Sequence, residues 1–147
     1  METKNYLGQI KRYDRMIANK IEEIKNLRAS IYGIQSFSCG ERVQTSGTKD
    51  IVGSGAPKIA DMESEVRTLS RKREEIVRQI EKIPDTDMYD VLAKRFVLDK
   101  DFKVISVEIK KSKRQTFFIY DNAIDTFEKM FGYLYMGINC TKTHKIA

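Results

Sequence analysis

The sequence predicts an all-α protein: a long antiparallel coiled-coil helical hairpin followed by a small helix-turn-helix domain. Two heptad-spaced apolar series and a third amphipathic segment behind a serine carry that expectation. Only two prolines punctuate 147 residues, and charged residues make up 33%, a balance that favours helices. An apolar content of 41% is enough for a folded core. The expected organisation is a hairpin over 1–84 with a flexible loop at 36–56, the helix-turn-helix over 85–131, and a tail over 132–147.

In the first segment Tyr6, Ile10, Tyr13, Ile17, Lys20, Ile24, Leu27, Ile31 and Ile34 recur at alternating spacings of four and three. That alternation is a heptad seam with one polar interruption. At 1.5 Å per residue it describes a helix roughly 45 Å long. Ile59, Met62, Val66, Leu69, Arg73, Ile76, Ile80 and Ile83 repeat the pattern and stop at Pro84. Pairing residues whose numbers sum to 93 sets Ile34 against Ile59, Ile24 against Leu69 and Ile10 against Ile83. It also sets Lys20 against Arg73, one polar layer of two cations. Such a layer is relieved either by snorkelling of both side chains into water or by an acid from a second subunit or another partner.

Between the seams, Ser36 to Ala56 holds four glycines and many small polar residues, a loop rather than a tight turn. Its Gly53-Ser54-Gly55 lacks the Gly-Lys-Ser/Thr and the preceding strand that a phosphate loop requires.

After Pro84, Asp85 or Thr86 is suited to cap a helix whose buried face is Val91, Leu92, Phe96 and Leu98. Phe102, Ile105 and Ile109 mark a second short helix, Lys110-Lys111 a turn, and Ser112 the cap of a third helix. Winding Ser112 to Phe131 at about 100° per residue gathers Thr116, Ile119, Tyr120, Ala123, Ile124, Phe127, Met130 and Phe131 on one face, with Phe117 at its edge. The other face carries Arg114, Phe118, Asn122, Asp125 and Lys129. A net charge of +6 and a pI near 9.3 suit an anionic partner.

Side-chain chemistry then assigns roles. Lys110, Lys111 and Lys113 suit phosphates, while Arg114, Gln115, Phe118 and Asn122 suit base edges: arginine to guanine, an amide to adenine, phenylalanine to a thymine methyl. Asp121 and Asp125 would repel phosphates deeper along the helix, so its N-terminal half is the end expected in a major groove. The competing account is a solvated basic turn, with Phe118 a protein contact.

Ser112, Thr116, Ile119, Ala123, Ile124 and Phe127, with Ile105, Ser106 and Ile109 before them, resemble the pattern of region 4 of sigma-70-type factors. Together with the heptad-rich half, the VQTSG loop and the AKRF start of the C-terminal part, the chain is similar to small phage and prophage regulators of Firmicutes, the ArpU and RinA type, from Tyr6 to Phe131. The resemblance implies control of phage late genes through promoter double-stranded DNA and RNA polymerase, with contacts at Lys113, Arg114, Gln115 and Phe118. Lys110 and Lys111 stand where that pattern has a small residue and an apolar one, and Ser106 replaces an alanine.

No run of about 18 apolar residues is present for a membrane span, and the polar start lacks a signal-peptide core, so a cytoplasmic protein without membrane contact is expected. Cys39, Cys140 and the single His144 form no metal-ligand spacing. No nucleophile is spaced with a base, so neither catalysis, a cofactor nor a metal is expected. A homodimer or a higher homo-oligomer is expected from the hairpin and from half-site pairing. The alternatives are a coiled-coil protein–protein adaptor or structural protein, and a DNA-packaging factor of the small-terminase kind.

Overall fold

A computed structural model describes residues 2–37 and 48–136, and all the regular structure in them is helical. α1 spans Glu2–Phe37, α2 Thr48–Glu81, α3 Thr86–Leu92, α4 Phe102–Glu108 and α5 Lys113–Tyr135, with a single π-helical turn at Ala93–Val97. α2 begins earlier than the glycine content suggests. Residues 48–56, expected in the loop, are helical, and Pro57 lies inside the helix. Helix growth is cooperative once a stretch is formed, which lets poor helix formers be recruited at an end. The remainder of the expected loop, 38–47, and the tail from 137 onward lie outside the described residues.

The chain divides into two compact units: Met1–Arg12 with Arg73–Ala147, and Tyr13–Lys72. In the second unit Ile24 and Met62 are buried, and Ile17, Leu27, Ile59, Val66 and Leu69 are half-buried. The Lys20 ammonium is ion-paired with Glu65, and Arg28 with Glu63.

The first unit is built around α5. Its core joins Leu7 and Ile10 of α1, Ile76, Ile80 and Ile83 of α2, Val91 and Leu92 of α3, Ile105 of α4, and Tyr120, Ala123, Ile124, Phe127 and Phe131 of α5. Two of these attachments were not legible in the heptad pattern. Tyr6 stacks on Tyr135 at 4.3 Å and meets Phe127 at 6.2 Å. Fully buried Thr3 donates to Glu128 (3.1 Å) and accepts from the Tyr135 hydroxyl (2.9 Å). The start of α1 therefore has two buried faces, and Thr3 and Leu7 serve the one against α5.

The expected register is corrected by one heptad. Tyr6 donates to buried Gln79 at 2.9 Å in one unit, and Lys20 reaches Glu65 in the other. With numbers summing to 93, each pair would be eight residues out of level, roughly 12 Å at 1.5 Å per residue, and out of reach. Sliding α2 by one heptad sets Ile10 level with Ile76 and Ile24 level with Met62, residues that are all buried. A heptad seam is unchanged by a seven-residue slide, so apolar spacing alone cannot choose between the two.

Local chemistry sets the helix ends. Lys82 and Ile83 close α2 with tight bonds to Gln79 and Ile80, and Pro84 stops it. Asp85 caps α3, accepting from the Met88 amide at 3.1 Å. The π turn closes with Leu98 bonded back to Ala93 and Lys100 to Lys94, and Asp99 sits there at φ 52. Leu98, expected on the buried face, is 57% exposed because it falls on this exit turn.

Candidate nucleic-acid interface

Four residues separate α4 from α5, and their conformation is fully specified by hydrogen bonds. Lys110 lies in the left-handed region at φ 56, its amide bonded to the Val107 carbonyl (3.2 Å) and the Lys111 amide to that of Ser106 (3.0 Å). These two bonds make a Schellman close, a position that favours glycine. Two residues later Ser112 opens α5 with a capping box: its hydroxyl accepts from the Gln115 amide at 3.2 Å, and the Gln115 Oε1 accepts from the Ser112 amide at 3.1 Å. Buried Thr116 adds a bond from its hydroxyl to the Ser112 carbonyl at 2.9 Å.

These bonds separate the seven expected nucleic-acid contacts. Lys110, Lys113 and Arg114 are exposed at the turn and in the first turn of α5. Lys111 is half-buried and ion-paired with Asp87 of α3 at 3.4 Å, so its charge is partly answered inside the protein. Gln115 is exposed, but its amide oxygen belongs to the cap, which removes half of a bidentate adenine contact. Phe118 is 68% exposed, one helical turn beyond Arg114. Asn122 is half-buried, deeper along the helix. The S-x-x-Q spacing of the capping box was visible in the sequence and identifies the role of Gln115 without coordinates.

Phe117 lies at the edge of the core face, where helical winding puts it. It stands 46% exposed beside Phe118, with its ring 4.4 Å from Phe102. Phe102 in turn meets Tyr120 edge-on at 4.9 Å and takes the Arg95 guanidinium over its face at 4.9 Å. Met130, expected inside, is exposed, because the first turns of α1 cover the Phe127, Phe131 and Tyr135 side of α5 instead.

The electrostatics of α5 run against its dipole. No acidic residue occupies its first turn, and Lys113 and Arg114 lie at the end where backbone N–H groups already present partial positive charge. This concentration of positive charge attracts an anion. Behind it, Glu108 is held by Lys100 (2.6 Å) and Lys94 (2.9 Å). Those two hydrogen bonds, Lys100 first, keep the Glu108 carboxyl below the ordinary carboxylate range, and the same contact raises Lys94. Burial raises the Tyr120 and Tyr135 hydroxyls, the latter against its hydrogen bond with Thr3.

Lys20 takes Glu65 of the same chain as its acid, and Arg73 is half-buried. Among the described residues no group of histidine, cysteine or carboxylate side chains is arranged to hold a metal, and no helix is long and apolar enough to cross a membrane. Comparison with family models, with curated proteins and with solved structures returned no match.

Proposed function

We propose that α4, its turn and α5 form a helix-turn-helix that binds double-stranded DNA in a sequence-specific way, as a transcription regulator of phage or prophage late genes. The observation that carries the reading is the cation-rich, uncompensated start of α5, where exposed Lys113, Arg114 and Phe118 follow a rigid turn bearing Lys110. Lys110 and Lys113 meet phosphates, Arg114 reads a guanine edge, and Phe118 meets a thymine methyl. The resemblance to the ArpU and RinA regulators supplies the late-gene context and RNA polymerase as a further partner.

A protein-binding adaptor is the second reading, favoured by the same Phe118 together with Val107, which is 74% exposed on α4. Fluorescence anisotropy with fragments of the chain's own genome, across a salt series, separates the two. Lys113→Ala with Arg114→Ala is expected to weaken selective binding about tenfold to a hundredfold, the range of a lost bidentate contact. Gln115 is left intact because replacing it would open the cap. Absence of binding at low salt would put the adaptor reading first, and salt-sensitive binding without selectivity would favour DNA packaging.

A further inference from the structure

Two adjacent phenylalanines of α5 have different surroundings. The Phe117 ring lies 4.4 Å from Phe102, whose face also carries the Arg95 guanidinium at 4.9 Å, so Phe117 belongs to the joint between α4 and α5. Phe118, about 100° further round the helix, points away from that joint. It stands 68% exposed in the second turn of α5. Exposed Arg114 lies one turn earlier, about 40° round from Phe118 and about 6 Å back along the axis, so the two project from one stripe of the outer face. A phenyl ring at this place can take no hydrogen bond from a base edge and can answer no phosphate. The apolar group that the major groove presents is the C5 methyl of a pyrimidine.

We infer that Phe118 makes this surface a reader of 5-methylpyrimidines: the DNA it selects carries a C5 methyl within about two base pairs of the guanine assigned to Arg114, since about 6 Å of helix spans that many steps of 3.4 Å. The inference rests on the DNA reading above and sharpens it. Thymine carries the methyl as a matter of sequence, and 5-methylcytosine carries it as a modification. Both offer Phe118 the same group in the same place, whereas uracil and cytosine leave the ring facing no apolar partner. The division of labour follows from the chemistry: Arg114 supplies hydrogen bonds, Lys110 and Lys113 supply charge, and Phe118 supplies the apolar contact.

Its test is fluorescence anisotropy of the full chain with the genomic fragment it binds most tightly, thymines replaced one at a time by deoxyuridine and cytosines by 5-methylcytosine. Removing the critical methyl from a thymine, or adding it to a cytosine, is expected to change affinity about fourfold, the worth of one buried methyl group. An effect at a thymine assigns the methyl to base sequence, one at a cytosine assigns it to modification, and either supports the inference. Phe118→Ala is expected to melt as wild type does, because the ring is exposed, and to erase the methyl effect. Lys113→Ala is expected to lower affinity and leave the fourfold ratio intact, as loss of a phosphate contact should. Binding indifferent to the methyl at every position, or a methyl effect that survives Phe118→Ala, would overturn the inference and leave the DNA reading standing. No binding to any fragment would remove both.

Discussion

Lys110 performs two tasks that conflict. Its backbone is left-handed at φ 56, a conformation that costs a residue bearing a Cβ roughly 1 kcal/mol, while its exposed charge sits at the mouth of the proposed DNA surface. Lys110→Gly is expected to stabilise the fold by about 0.5–1 kcal/mol, less whatever the unfolded chain regains in entropy. It should also shallow the salt dependence of DNA binding by about 0.9 in slope, one phosphate contact. Thermal melting and a salt titration read the two effects separately. A lower melting temperature would show that the lysine side chain, and not the backbone angle, governs this turn. The left-handed angle was hidden in the sequence because two consecutive lysines carry no turn signature. Ser112, by contrast, announced its cap through residue type and place alone, while Gln115, expected at a base edge, turned out to complete that cap.

Between α4 and the π turn, the Lys94–Glu108–Lys100 cluster ties two short helical pieces together. Glu108 is depressed in the folded chain, so its stabilising contribution is complete above the ordinary carboxylate value of 4.5 and disappears as pH falls through the lower folded value. Lys94 is raised, so its contribution is complete below 10.5 and is lost as pH rises beyond its folded value. Glu108→Gln is therefore expected to lower the melting temperature near neutrality and to converge with wild type in strong acid. Melting curves collected from neutral pH downward check this; parallel curves over the whole range would remove Glu108 as a pH-linked tie. The helices themselves were readable, since caps, Pro84 and a period of 3.6 residues are local signals. Their exact faces were less so: Leu98 and Met130, each expected on a buried face, are 57% and 36% exposed.

For the whole molecule, the C-terminal helices are not self-sufficient. Leu7 and Ile10 of α1 and Ile76, Ile80 and Ile83 of α2 complete the core in which Phe127 is fully buried. Leu7→Ala is expected to cost about 2–5 kcal/mol, the range for a large core side chain removed. A fragment beginning at Asp85 and ending at Met136 is expected to remain unfolded, because it lacks both of these covering segments. Circular dichroism of that fragment settles the point; a cooperative melt would show that α3 to α5 fold alone.

The sequence by itself determined the helical class, a cap at Asp85 or Thr86, the cap at Ser112, the stop at Pro84 and the exposure of Lys113, Arg114 and Phe118. Each follows from interactions among residues close in the chain. Tertiary structure decided the register of α1 and α2, the second buried face formed by Thr3 and Leu7, and the division into units. Heptad spacing is degenerate under a seven-residue slide, and the two cations that suggested a layer are outweighed by pairs such as Lys20–Glu65 and Tyr6–Gln79. Breaking that degeneracy takes contacts between residues as far apart as Tyr6 and Gln79, and no local pattern encodes them.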